Sequence, residues 1–241
     1  MSGAATLTLA GRDIPLTVRR SRQARRLTLT ADPARGEIRL TLPHRASQRA
    51  AERFLVSRMD WLSARAASFP APRPFLPGAR IPFLGEEVEI DWREDLPRTP
   101  RLEDGSIRLG GPEDMVSSRL TRWLRAEAKR HLSDDCIELA AGAGLPSPAA
   151  VTVRDTRRQW GSCAYDGRLS FSWRLVLAPP FVRRSVAAHE LAHLVHRNHA
   201  PAFHREAARI LGTTHTPANR WLREHGAALH WVGRQQDLRP A

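Results

Sequence analysis

The chain has 241 residues, enough for one sizeable domain or two small ones. Its 41% hydrophobic and 26% charged residues suit a globular protein, and no run approaches the roughly 20 apolar residues of a membrane-spanning helix. Cys136 and Cys163 give no disulfide framework. The net charge of +13 has two readings: a polyanionic partner such as nucleic acid, or the arginine bias of a GC-rich genome, because Lys129 is the only lysine.

The N-terminal stretch "MSGAATLTLAGRDIPL" lacks a basic n-region and a long apolar h-region, which predicts no signal peptide and a cytoplasmic location. Residues 5–42 read as β structure. "TLTLAGRDIPLTV" places a turn between two alternating runs, and "RRLTLT" and "GEIRLTLP" follow around "ADPARG". Residues 45–66 have helical spacing, with Phe54, Leu55, Met59 and Leu62 on one stripe. The proline-rich "SFPAPRPFLPGARIPF" reads as a linker or irregular crossover, "IPFLGEEVEIDW" as a hairpin turning at Gly85, and "SIRLGG" as a short strand. Residues 113–141 form the longest helical pattern, carried by Val116, Leu120, Trp123, Leu124, Ala128, Leu132, Cys136 and Leu139.

"AAVTVRD" predicts a strand, and Asp166-Gly167 a hairpin turn, with Leu169, Phe171 and Trp173 alternating against Ser170, Ser172 and Arg174. Pro179-Pro180 introduces a helix over about 181–197, with Val186, Leu191, Leu194 and Val195 on its buried side. A second helix runs from Pro201 to Gly212, and a last one carries "PANRWLREHGAALHW" before a polar tail.

Within "AAHELAHLVHRNHAPAFH", His189, Glu190 and His193 form H-E-x-x-H. Two histidines four apart share one helix face and can reach one ion, while the glutamate is offset by about 100° and can reach water beside it. Catalytic zinc takes three protein ligands and leaves a fourth position open. His196 stands roughly 10.5 Å along a straight helix from His189 and cannot converge on the same ion. His199, in the turn before Pro201, can approach from another direction and is the better third ligand. His204 lies in the following helix as a neighbour, and Cys163 is a competing donor that would close the site.

"WGSC", "RLSFSWRLVLAPP" and "HELAHLVHRNHAPAF" together resemble the YgjP-like metal-dependent hydrolases, small relatives of the WLM and SprT-type zinc metallopeptidases. The resemblance extends from about residue 18 to 235 and is sharpest over 155–205. It implies a gluzincin-like fold, and the predicted elements together give an α+β protein, a β-rich N-terminal half to about 108 packed on a gluzincin-like helical metallohydrolase core (109–235) with a short mixed sheet. The resemblance also implies zinc on His189, His193 and His199. The family's arginine before Trp-Gly-Ser-Cys is replaced by Gln159, after Arg157 and Arg158, and His204 stands where an aromatic is usual.

The expected activity is zinc-dependent hydrolysis, most directly of a peptide or protein, with Glu190 as general base. Arg158, Gly161, Ser162 and His204 are candidate substrate-contacting or supporting residues. Trp160 reads as a packed residue. Two alternatives are a metal-dependent nucleotide (phosphoanhydride) hydrolase, which the positive charge suits, and a basic DNA- or protein-binding module with structural zinc.

Overall fold

The computed structural model describes residues 3–234. The polar tail from residue 235, with the end of the expected domain, lies outside the described residues. The chain divides into two compact units, Met1–Ala71 and Pro72–Ala241, and the division falls inside the proline-rich stretch. The fold is α+β, and no helix among the described residues is long and apolar enough to cross a membrane.

The first unit contains β1 (Gly3–Leu9), β2 (Arg12–Ser21), β3 (Thr28–Asp32) and β4 (Glu37–Pro43), in the order β1-β2-β4-β3. β2 and β4 run parallel and the other pairs antiparallel. Alternation decides which face is buried: Ile38, Leu40 and Leu42 point inward, with polar residues between them. Two helices, α1 (Gln48–Val56) and α2 (Met59–Ala67), follow. The single helix expected over 45–66 is broken because the Ser57 hydroxyl donates to the Phe54 carbonyl and closes the first segment. The break also removes Met59 from the expected stripe, leaving it exposed, whereas Leu62 is fully buried.

The second unit begins with β5 (Arg80–Phe83), β6 (Glu86–Trp92), β7 (Arg101–Glu103) and β8 (Ser106–Leu109), ordered β5-β6-β8-β7. β7 has no clear alternation signal in the sequence, and all three of its residues are exposed. These strands share one apolar core with the helices that follow. The central element is α3 (Val116–Gly142). Its buried positions Val116, Leu120, Leu124, Ala128, Leu132, Cys136 and Ala140 recur every four residues. Each such step drifts by about 40° around an α-helix, so the stripe winds round the helix and meets different neighbours along its length. α3 accordingly touches β9 (Ala150–Arg154), α4 (Pro180–Ala192) and α5 (Pro201–Leu211).

β9 joins β10 (Gly161–Cys163) and β11 (Arg168–Ser172) in the order β10-β11-β9, antiparallel and then parallel. The expected alternation stops at Ser172. Trp173–Leu177 is a 3-10 turn in which every residue is buried, Arg174 included. Arg174 tolerates this because its guanidinium pairs with Asp155, donates to the Leu229 carbonyl at 3.1 Å and lies over the Trp173 ring. α6 (Thr216–Leu229) completes the unit.

Candidate metal centre

α4 starts with proline in its first turn, where the missing N–H costs nothing. Val182, Ala187, Ala188, Leu191 and Ala192 form its buried face, and the small alanines allow neighbouring elements to come close. Arg183 anchors it to α3: the guanidinium meets Asp135 at 2.5 and 3.3 Å, and both side chains are almost fully buried.

The helix is shorter than the sequence indicates. It ends at Ala192 rather than near 197, so His193 is its C-cap. The bonds tighten there, with Leu194 N–H donating to the Leu191 carbonyl and Val195 N–H to the Ala192 carbonyl, which also accepts from His196 N–H in a last α-type bond. Val195, expected on the buried side, is exposed as a result, and Leu194 is only partly buried. His196 and Asn198 both lie beyond the end of the helix. The early end instead lets the chain turn back and bring His199 against the helix it has just left.

His189, His193 and His199 each present one ring nitrogen, and the three atoms lie within 4.8 Å of one another. The Nε2 atoms of His189 and His199 face each other at 3.2 Å. Two nitrogens each about 2.0–2.1 Å from one tetrahedral ion stand about 3.3 Å apart, so this spacing fits a shared cation. His193 Nδ1 lies 2.9 Å from the His196 carbonyl. A carbonyl only accepts, so Nδ1 carries the proton and Nε2 keeps its lone pair for a ligand bond. All three rings pack on Phe203, with centroids 4.4–4.8 Å from its phenyl ring. Phe203 is fully buried on α5, which Pro201 opens and the left-handed Gly212 closes.

The site's electrostatics favour the cation-binding form of the ligands. Burial, reinforced by His193 and His199, lowers the His189 pKa to about 4. Burial also lowers that of His193, despite the hydrogen bond to His196. Both imidazoles are therefore neutral near pH 7, the form that ligates metals.

Glu190 is 5% exposed, and burial alone raises its pKa to about 7. Its place depends on β10. A Cβ added to Gly161 would stand 2.5 Å from Glu190 Oε1 and 2.6 Å from its Cγ. Gly161 therefore allows the edge strand and the carboxylate to share one space.

His189 and Glu190 open on a cleft of about 230 Å³. Trp160, Val186 and Leu222 give it apolar walls, and Gln159 and Asn219 contribute amides. Among the described residues, no arginine or lysine lines it. Of the sequence candidates, Gly161 lines this cleft, whereas Arg158, Ser162 and His204 do not. Arg158 is exposed beside Gln159, and His204 is exposed with its ring 6.3 Å from that of His199. Cys163 stands outside the three-histidine group, its Sγ near the Ala164 carbonyl and Arg197. Trp160 is partly buried against the core, with its ring tilted against that of His230 at 5.1 Å between centroids, while also forming part of the wall.

His215, Asn219 and Leu222 were not expected at the site. His215 Nδ1 lies 2.7 Å from Ser185 Oγ on α4 and lines the same cleft. It follows H-E-x-x-H by more than 20 residues in an unremarkable sequence, so only the α4–α6 packing reveals it.

The fold and the three imidazoles beside a buried carboxylate define a class, the metal-dependent hydrolases. Within that class the chain belongs to the YgjP-like family: the YgjP-like metallopeptidase domain model matches residues 25–225. Neither a curated protein nor a solved structure matches the chain.

Proposed function

We propose that the protein is a zinc metallopeptidase in which His189, His193 and His199 hold the ion and Glu190 moves the proton. The carrying observation is the character of the cleft: a buried carboxylate and the His189 imidazole open on walls that are apolar or amide-bearing and, among the described residues, contain no arginine or lysine. A phosphoanhydride substrate calls for cationic side chains around its phosphates. A peptide is neutral along its backbone and needs hydrogen-bond partners and apolar contacts instead. The chain's positive charge therefore does not favour nucleotide hydrolysis, because none of it lines this cleft.

Three imidazoles suit zinc, and three protein ligands leave the open position that a catalytic site requires and a structural site lacks. A zinc ion there supplies Lewis acidity, bringing the pKa of water towards about 7 and polarising a substrate carbonyl. Glu190 accepts a proton from the attacking water as the new C–O bond forms. It returns the proton to the leaving amine as the C–N bond breaks. Burial raises the pKa of Glu190, the direction that suits a carboxylate which must accept a proton and then return it. The Asn219 and Gln159 amides are neutral donors within the cleft, placed to orient the peptide carbonyls or support developing negative charge.

The test is a side-by-side assay of zinc-loaded protein on a complex peptide library and on a panel of nucleoside triphosphates. New peptide termini without pyrophosphate release support the proposal. Pyrophosphate or phosphate release with no peptide cleavage overturns it.

A further inference from the structure

The unit Met1–Ala71 carries a surface that the metal centre does not use. It holds 13 arginines against 5 acidic residues, so +8 of the chain's +13 sits in less than a third of its length. Among the described residues, the ion pairs of this unit involve only Arg35 and Arg39. Most of its charge therefore faces solvent uncompensated.

β3 is an end strand that pairs with β4, and its outer edge has no strand partner among the described residues. Such an edge presents a row of backbone donors and acceptors. A groove of about 450 Å³ adjoins it. Leu27, Leu29, Phe54 and Trp61 give the groove apolar surface, the exposed Arg26 and Arg58 give it charge, and no acidic side chain among the described residues lines it.

Nucleic acid and an acidic protein segment both complement this charge. Sequence-tolerant nucleic-acid binding uses open aromatic faces on which bases stack. Here both rings pack against the unit's core, and guanidinium groups already lie over them, Arg58 over Phe54 and Arg65 over Trp61, each at 5.7 Å. What remains is a strand edge, an apolar slot and flanking arginines, a combination suited to strand addition.

We propose that the outer edge of β3 and its groove form a docking site for an extended acidic protein segment. Backbone hydrogen bonds to β3 add the segment to the sheet as a further strand. Alternate side chains then point the same way, so an apolar one enters the groove while flanking carboxylates meet Arg26 and Arg58. The site is independent of the metal centre and needs no catalysis.

The experiment uses full-length Glu190→Gln protein, so that nothing is cut, and a short fluorescent peptide of alternating valine and threonine flanked by glutamates. A lysine-flanked peptide and an oligothymidine of similar length serve as comparators. The expected result is binding of the acidic peptide above both comparators, with slowed amide exchange over Thr28–Thr30. Arg26→Glu with Arg58→Glu, both at exposed positions, should weaken binding by about tenfold or more without changing Tm, whereas Arg122→Glu in the other unit should not weaken it. Absent binding, equal binding of the lysine-flanked peptide, indifference to the double reversal, or tighter binding of the oligothymidine would each overturn the proposal.

Discussion

Gly161→Ala isolates the geometry on which the proposed chemistry depends. The backbone at Gly161 has no positive φ, so alanine is conformationally acceptable there. In a neutral setting the exchange would stabilise the chain by about 0.4–1 kcal/mol, through the unfolded state. Here the new Cβ would stand 2.5 Å from Glu190 Oε1, whereas ordinary contact begins at 3.4 Å. The carboxylate must therefore retreat by about 0.9 Å, since Glu190 Cγ at 2.6 Å and Cδ at 2.8 Å are crowded as well. A misplacement of about 1 Å costs on the order of 10²-fold in rate. The expected variant keeps its zinc and melts within a few degrees of wild type, but loses about 10²-fold in kcat on a peptide found by library screening, with KM little changed. Measuring kcat, KM, bound zinc and Tm on one preparation separates these effects. Wild-type kcat with a full complement of zinc would refute the reasoning, because it would mean that the position of Glu190 is immaterial.

Other perturbations address the metal site and its supports. His199→Ala should weaken zinc binding by more than the roughly 10–100-fold typical of losing a supporting partner, measured by competition with a chromogenic chelator. Arg197 donates to the Ala164 and Tyr165 carbonyls at 3.0 Å and latches the His199 turn to the β10–β11 hairpin. Arg197→Ala should fall within that 10–100-fold range, and unchanged affinity would remove the latch from the account. Arg183→Met leaves the buried Asp135 with only Arg184, at 3.5 Å, and should cost about 3 kcal/mol in urea unfolding; a loss below about 1 kcal/mol would contradict that. The pKa values of His189 and His230 are lowered by burial from 6.5 to about 4. Between those values the unfolded chain binds protons that the folded chain does not, whereas Glu190, raised to about 7, works in the opposite sense; metal-free Glu190→Gln protein, which lacks that opposing group, should therefore lose stability as pH falls through this window. An equal or higher Tm at pH 5 than at pH 7 would contradict this.

The three-histidine cluster was legible because a four-residue spacing on a helix and a turn before proline are local facts. The end of α4 was not, since no glycine marks it. Asn198 and Pro201, residue types that commonly end or follow helices, lie farther on, while the observed end is accompanied by the bond between His193 and the His196 carbonyl. The break between α1 and α2 has only Ser57 as its signal, and a serine in a helical run does not ordinarily stop it. The alternation through Trp173 and Arg174 suggested a longer strand, because the pattern could not reveal that Arg174 is buried with its own partners. Arg158 was a reasonable substrate contact by charge, yet the neighbouring Gln159 lines the cleft. His215, Asn219 and Leu222 reach it through helix packing, which no spacing rule encodes.

The most direct test of the central claim compares wild type with Glu190→Gln, both loaded with zinc, on a complex peptide library read by mass spectrometry. The account predicts new termini from the wild type alone, with equal zinc in both proteins. Equal cleavage by both, or none by a wild type carrying its full zinc, would contradict it.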